Sequence, residues 1–277
     1  MVRTVSLLVG IVLVVTVVCF SQNALPSDRV PVLVELFTSE GCSSCPPADH
    51  FLELLDTQPV PGVEIIVVSE HVDYWDHQGW RDPYSSSEFT DRQRIYGRQL
   101  HLSDVYTPQL VIDGYRQISG NGASDAEVAL RQARTRPKTE LHITEMTVKQ
   151  SRLRAHIEST PLNLPDIRSL DVYVVVALNH AESQVTRGEN ANRHLTHTAV
   201  VLKLKRVGKV VAGAQFSQDT ELKIDAKTDP RNLRLVAFLQ DPNSRRVFGA
   251  TMRQVEEHRA DSSVAATVPD LRVTTAD

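Results

Sequence analysis

Two cysteines, Cys42 and Cys45, lie between an apolar segment and a segment that opens with two prolines. Residues 30–37 are almost wholly apolar, which predicts a buried strand. Proline suits the first turn of a helix, because the amide that it lacks would have no partner there. Residues 46–56 are therefore predicted to be that helix. The two thiols are expected at a helix N-terminus, directly after a strand.

This position gives the two thiols a chemical role. Unpaired amides and the helix dipole stabilise an anion at a helix N-terminus, and the thiolate is the nucleophile in disulfide exchange. We therefore expect a lowered pKa at Cys42, which attacks, while Cys45 resolves the mixed disulfide. A static disulfide is an alternative. A structural zinc site is disfavoured, because it needs four ligands and the sequence has no second CxxC.

The N-terminal residues predict export. A short segment that contains Arg3 precedes an apolar run at 7–20, and residues 21–28 are polar. This pattern is typical of a signal peptide, and the run is too short for a comfortable membrane span. We assign residues 1–24 to a signal peptide or an N-terminal anchor. The protein is thus expected in the periplasm or outside the cell, and at the inner membrane only if that segment stays uncleaved.

Cysteine usage and charge narrow the possibilities further. Cys19 lies in the predicted export segment, so cleavage would leave Cys42 and Cys45 as the only cysteines. Two thiols cannot form a multi-bridge scaffold; they pair with each other, act on other disulfides or bind a metal. The formal net charge of −4 includes no basic surplus, so we expect no nucleic-acid partner.

The order of apolar segments and turn signals predicts two domains. Residues 30–136 read as β-α-β-α-β-β-α, with Ser124 or Asp125 as the N-cap of the last helix. Residues 138–252 contain several candidate strands and no convincing helix. This pattern favours an α/β domain followed by an antiparallel, sandwich-like β domain.

Two further expectations concern the second half of the chain. The apolar segment 195–211 is long for one strand, and Gly208 is expected to turn it into a hairpin. Residues 256–277 are polar with scattered small residues, which predicts a disordered tail.

Strand, CxxC and helix, followed by Thr107, Pro108 and an apolar run that ends in an Asp-Gly turn, resemble the thioredoxin superfamily. This resemblance implies that Pro108 is a cis-proline placed against the CxxC and that Thr107 contacts the substrate. It also implies that residues 70–102 are an insertion carrying an aromatic loop and a helix. The predicted fold is then an α/β thioredoxin-like domain followed by an all-β sandwich-like domain.

A longer set of motifs is similar to a family of exported bacterial proteins that is catalogued only as a domain of unknown function with a thioredoxin-like fold. The matching runs are FTSEGCSSCPPAD, HVDYWDHQGWRDPYSSSEFTDRQRIY, YTPQLVIDG and GENANRHLTHTAVV. This resemblance covers most of the mature chain. It names no substrate, so it supports the fold rather than a function.

The segment 70–87 holds both tryptophans, Trp75 and Trp80. We interpret it as a wall of the substrate groove in which these two side chains contact an unfolded partner. One alternative is a loop whose aromatic rings only pack over the sheet. Another is a metal site, since mixtures of imidazole and carboxylate suit several divalent ions; we expect no metal. The residues of that alternative are His71, Asp73, Asp76 and His77.

Two polar features remain. Glu35 interrupts an apolar strand; if it is buried near Cys45, it would accept a proton during exchange, and otherwise it faces water at an edge. The second feature is a polar cluster that either forms a loop held by a Glu189–Arg193 salt bridge or docks against the first domain. Its members are Gly188, Glu189, Asn190, Arg193, His194 and His197.

These observations predict an exported thiol–disulfide oxidoreductase that needs no cofactor. Its partners would be protein thiols or disulfides and a redox partner protein that exchanges electrons with it. The alternatives are a copper-binding module that uses the same two thiolates, since soft sulfur ligands favour Cu(I), and a non-catalytic binding protein with a structural disulfide.

Overall fold

A computed structural model describes residues 29–120 and 122–255. The predicted export segment (1–24) and the predicted disordered tail (256–277) lie outside these residues. The elements in chain order are β1 Val30–Thr38, α1 Pro46–Thr57, β2 Val63–His71, α2 Ser87–Gln99, β3 Gln109–Ile112, β4 Arg116–Ser119, α3 Ala123–Arg134, β5 Leu141–Lys149, β6 Arg152–Ser159, β7 Ser169–Gln184, β8 His194–Val211, β9 Ser217–Lys223, a 3-10 turn Pro230–Asn232, β10 Leu233–Gln240 and β11 Val247–Gln254.

Within the described part of the chain, the strands form an eight-stranded sheet and a three-stranded sheet. The order in the larger sheet is β11-β10-β7-β8-β2-β1-β3-β4, and the smaller one is β5-β6-β9. Strands β1 and β2 pair in parallel, and β2 meets β8 in parallel at the pair Ser69 and Val200. The protein is thus a mixed α/β protein rich in strands, and strands from both predicted domains share one sheet. The domain boundaries themselves stay a prediction.

The alternation of side chains along β1 places the helices. Successive residues of a strand point to opposite faces. Val34 and Leu36 pack in the cluster that contains the apolar side chains of α1 and α3. Leu33 packs with Phe89 of α2 on the other face. The larger sheet is therefore covered by α1 and α3 on one side and by α2 on the other.

The second core lies between the two sheets. Leu153 and Ile157 of β6 pack with Val172 and Val174 of β7 and with Leu235 of β10, and all five are buried. Two layers of strands thus enclose the apolar side chains of the second half of the chain. No helix among the described residues is long and apolar enough to cross a membrane.

Two local predictions are wrong. The segment around Gly208 does not turn, because β8 continues as one strand to Val211. A β-carbon at Gly208 would lie 2.5 Å from Cε2 of Phe216, so glycine here permits a close approach of that ring rather than a reversal of the chain. The N-cap of α3 is Gly122 rather than Ser124 or Asp125, which lie inside the helix.

A buried ion pair joins α2 to the centre of the larger sheet. Nε of Arg92 donates to Oε1 of Glu35 at 2.7 Å and lies 3.3 Å from Oε1 of Glu70. The hydroxyl of Tyr96 donates to Oε2 of Glu35 at 2.5 Å. Burial, and secondarily the neighbouring Glu35, raise the pKa of Glu70 well above its usual value, although Arg92 acts in the opposite direction. The guanidinium of Arg92 is thus the cation that offsets the cost of burying Glu35 and Glu70 in the sheet.

The Arg92→Met variant is expected to lose roughly 3–5 kcal/mol of unfolding free energy, because it removes the cation from a buried ion pair. Arg94→Met is the matched control on the same helix, since Arg94 is exposed and pairs with exposed Asp91; it should cost about 0–1 kcal/mol. Urea unfolding of the three proteins measures both. Equal losses in the two variants would contradict this account of Arg92.

Candidate functional site

The two cysteines form a disulfide at the start of α1, with their Cα atoms 5.4 Å apart. Cys45 is the N-cap of the helix, and prolines occupy its first positions, as the sequence predicts. Both cysteines are fully buried, whereas Ser43 and Ser44 between them are exposed. The two sulfur atoms of the CxxC are therefore joined in a disulfide and covered by the surrounding structure.

Pro108 lies against the first turn of α1. The Thr107–Pro108 peptide bond is cis, as the resemblance implies. A β-carbon at Gly120 would lie 2.6 Å from Cβ of Pro108 and 2.7 Å from Cβ of Ala48. Gly120 thus lets Pro108 and the helix turn that follows Cys45 approach each other.

Both tryptophans contact the loop that leads into Cys42. Nε1 of Trp75 donates to Oγ1 of Thr107 at 2.8 Å, and Cβ of Trp75 lies 2.9 Å from the position of a β-carbon at Gly41. Nε1 of Trp80 donates to Oε2 of Glu40 at 2.7 Å. The structure therefore brings Trp75, Trp80 and Thr107 together around the CxxC segment, where the sequence predicted a substrate groove.

A cluster of buried acids and a histidine lies beside the disulfide. Nε2 of His197 is 3.3 Å from Oε1 of Glu40, and its Nδ1 is 3.7 Å from Oδ1 of Asp49. Oδ2 of Asp49 accepts from the hydroxyl of Thr38 at 3.2 Å. The backbone amide of Asp49 donates to the carbonyl of Cys45 at 3.1 Å, so this acid stands one helical turn beyond the disulfide.

A second buried pair extends the cluster. Oδ2 of Asp82 lies 2.7 Å from Nδ1 of His71 and accepts from the amide of Glu40 at 2.8 Å. The rings of His71 and His197 meet edge to face with their centroids 4.8 Å apart, and the ring of Tyr84 packs near both. Two histidines and three carboxylates thus share one buried region, which we call the acid–histidine cluster: Glu40, Asp49, His71, Asp82 and His197.

The carboxylates determine the charge of the histidine. Burial by itself would lower the pKa of His197, but the paired Asp49 and Glu40 raise it to about 10. Burial would likewise raise the pKa of Asp82, yet His71 and the amide of Glu40 hold it below its usual value. His197 therefore carries a positive charge at neutral pH, between two acids that flank the CxxC segment.

The loop that precedes β8 docks on the CxxC segment. Nδ2 of Asn190 donates to the carbonyls of both Glu40 and Cys42 at 2.9 Å. Oε2 of Glu189 accepts from the amide of Ser43 at 3.1 Å. Of the two interpretations of this polar segment, docking against the first half of the chain is the one observed.

Glu35 lies away from the disulfide, and the residues of the metal alternative do not come together at one point. Glu35 is on the α2 face of the sheet with Arg92 and Tyr96, opposite the face that carries α1, so it is not brought to Cys45. The loop residues proposed for a metal also diverge: Asp73 accepts from Thr90 while His71 pairs with Asp82. Among the described residues, no three His, Cys, Asp or Glu side chains are grouped to hold a metal.

Sequence reasoning did not identify Glu40, Asp49 and Asp82 as neighbours of the disulfide. The spacing of Asp49 was a usable signal, because a residue four positions after Cys45 lies on the same helix face. The approach of His197 and Asp82 depends on contacts between distant strands and loops, which leave no local pattern.

The fold and the site define a mixed α/β protein with a buried CxxC disulfide. The family model for a protein of unknown function, DUF1223, matches residues 33–240. The chain therefore belongs to the DUF1223 family. A comparison with curated proteins found no significant match.

Two solved structures share the overall fold. A structural-genomics crystal structure of a protein from Agrobacterium tumefaciens is 25% identical, with a TM-score of 0.64 over 83% of this chain and 97% of that chain. HBP35 of Porphyromonas gingivalis is 13% identical, with a TM-score of 0.57 over 90% of this chain and 81% of that chain. The second likeness concerns the fold alone.

The Asn190→Ala variant is expected to open the disulfide to attack. It removes two buried hydrogen bonds that hold the loop on the Cys42 backbone, and losing buried partners costs about 1–3 kcal/mol. If this loop controls access, dithiothreitol should reduce the disulfide roughly tenfold faster. Asn243→Ala, in an exposed turn, is the control. An unchanged reduction rate would mean that the loop does not limit access.

The pH dependence of the unfolding free energy should report the ionisation of His197. Its pKa is raised in the folded protein, so its stabilising contribution is complete below about 6.5, the unfolded value, and disappears as the pH rises through about 10. The difference in unfolding free energy between the wild type and His197→Gln should therefore shrink between pH 7 and pH 10. Urea unfolding across this range measures it, and a constant difference would contradict the assigned charge.

Proposed function

We propose that this protein is a thiol–disulfide oxidoreductase that acts through the Cys42–Cys45 disulfide. The observation that carries the proposal is the disulfide itself, formed by a CxxC at a helix N-terminus. That position stabilises the thiolate which exchange requires. Trp75 and Thr107, hydrogen-bonded to each other beside this segment, supply contacts for a substrate chain.

The proposal includes a thioredoxin-like arrangement of the first half of the chain. The parallel pair β1 and β2, with α1 between them, is followed by the antiparallel β3 and β4 and by α3. Pro108 at the start of β3 faces the turn of α1 that follows the disulfide, across Gly120. These features support the family resemblance of the motif.

The reaction is a pair of thiol–disulfide exchanges. In the oxidising direction, a thiolate of a partner protein attacks the sulfur of Cys42, forms a mixed disulfide and displaces Cys45. The second partner thiol, deprotonated, then attacks the partner's own sulfur in the mixed disulfide and displaces Cys42. The partner gains a disulfide and loses two electrons, and this protein gains them. Cys45 leaves as a thiolate and takes up the proton that the second partner thiol gives up, and Cys42 remains as a thiolate. In the reverse direction Cys42 attacks and Cys45 resolves.

Exchange requires a temporary opening of the site. An attacking thiolate must reach a sulfur along an accessible path, and both cysteines are fully buried. The contacts that close the site are few: Asn190 on the carbonyl of Cys42, Glu189 on the amide of Ser43, and Trp75 over Gly41. We propose that a protein substrate displaces this docked loop. The export that residues 1–24 predict would put this reaction outside the cytoplasm, where disulfides persist.

The same burial favours a second candidate function. A covered disulfide that no partner reaches would stabilise the start of α1 and leave binding to other surfaces. The protein would then be a non-catalytic binding protein, and Cys45→Ala would change stability without affecting any exchange activity.

The reduction potential separates the two candidates. We expect equilibration with glutathione buffers to give a value between about −120 and −270 mV, the range of exchange catalysts. A value below about −300 mV would identify a structural disulfide. The fraction of free thiols, trapped by alkylation and counted by mass spectrometry, provides the measurement.

Single-cysteine variants test the assigned roles. Reduced Cys45→Ser should form a stable mixed disulfide with a disulfide-bonded protein such as insulin, because nothing resolves it, whereas Cys42→Ser should form none. Mixed-disulfide formation by both variants alike would overturn the assignment of Cys42 as the attacking thiol and Cys45 as the resolving thiol.

The copper-binding alternative is tested by metal analysis of the reduced wild type and of Cys42→Ser in the same preparation.

A further inference from the structure

His197 links the two ends of the CxxC segment. Its Nε2 lies 3.3 Å from Glu40, which stands two residues before Cys42, and its Nδ1 lies 3.7 Å from Asp49, four residues after Cys45. One turn of helix spans about 5.4 Å, so the imidazole is held by acids immediately on either side of the disulfide. His197 itself belongs to β8, which is distant in sequence from the CxxC segment.

The residues around His197 are titratable, and most of them are buried. The titratable groups that face it are Glu40 from the loop after β1, Asp49 from α1, His71 from β2, and Asp82 and Tyr84 from the loop after β2. All of these except Tyr84 are buried. Because buried charges are screened much less by salt than exposed ones, a charge in this cluster acts on the neighbouring cysteines.

The ring of His197 lies close to Glu40 and Asp49, but its nitrogens do not form well-aligned hydrogen bonds with them. Neither of its nitrogens makes an aligned hydrogen bond to any residue that the structure describes, and the same holds for Oε1 of Glu40 and Oδ1 of Asp49. Buried polar atoms nearly always have hydrogen-bond partners, and the carboxylate oxygens nearest to the two ring nitrogens belong to residues on either side of the CxxC segment.

We infer that His197 is a positioning residue of the disulfide site: its imidazolium holds Glu40 and Asp49 beside the CxxC segment and favours the Cys42 thiolate in the reduced protein. The inference rests on the proposed function, because a thiolate at Cys42 matters only if the disulfide is reduced. His197 keeps its own proton throughout; the proton released by Cys42 passes to solvent. Without the imidazolium, the Cys42 thiolate would lose a nearby positive charge.

The first test compares His197→Gln with the wild type. The variant removes the positive charge of the imidazolium and keeps a polar side chain of similar size. We expect at least tenfold less Cys42 thiolate, measured by thiolate absorbance against pH in a Cys45→Ser background. In the two-cysteine protein, the equilibrium with glutathione should shift at least tenfold toward the disulfide, which is about 30 mV. His156→Gln, on β6 with Asp219, is the control and should change neither quantity.

A second measurement needs no variant and therefore does not depend on its folding. Coupling between sites is reciprocal, so a thiolate at Cys42 must raise the pKa of His197 by the factor by which His197 favours the thiolate. Nitrogen-15 NMR of the imidazole in the oxidised and the reduced wild type reports that pKa. The reduced protein should show the higher value.

The outcomes separate this inference from the proposed function. Equal thiol pKa values and potentials in His197→Gln and the wild type, or one His197 pKa in both redox states, would overturn the role of His197 even if the wild type is an active catalyst. A wild-type potential below about −300 mV would overturn the proposed function. In that case, the change in the Cys42 thiol pKa caused by His197→Gln and the change in the His197 pKa on reduction still show whether the charge of His197 affects the cysteines.

Discussion

The burial of opposite charges beside a disulfide is the interaction on which this site depends. Glu40, Asp49 and His197 come from a loop, a helix and a distant strand, and they meet where water is excluded. A buried ion pair is tolerated only when its partners are correctly placed. The position of His197, and with it the position of β8, is thereby tied to the geometry of the CxxC segment.

Strand β8 can place His197 beside the CxxC segment because β8 belongs to the same sheet as β1 and β2. Strand β8 meets β2 at Ser69 and Val200 and pairs along its length with β7. The second half of the chain is thus the other part of the same sheet, and its loop before β8 reaches back over the disulfide through Asn190. On this view the strand-rich half completes and covers the site, which gives it a role in the proposed exchange chemistry.

Several parts of the structure were predictable because they depend on neighbouring residues. The apolar run of β1, the prolines at the start of α1 and the CxxC between them specify a strand, a turn and a capped helix by local rules. Helix α3, Ala123–Arg134, forms where the sequence predicts the last helix of the first half, although its N-cap is Gly122. Where prediction failed, a tertiary contact replaced the local signal: Gly208 suggests a turn in isolation, but the ring of Phe216 packs against it within β8.

The sequence by itself determined the thiol pair, its place at a helix N-terminus and the aromatic residues that surround it. Only the tertiary structure decided that Glu35 lies on the face away from α1, since the register of a strand fixes which residues point to which side. It also decided that Asn190 meets Glu40 across 150 positions of sequence and that His197 carries a charge beside the disulfide. These features depend on burial and on electrostatic contacts between distant segments, and no local pattern of residues encodes either.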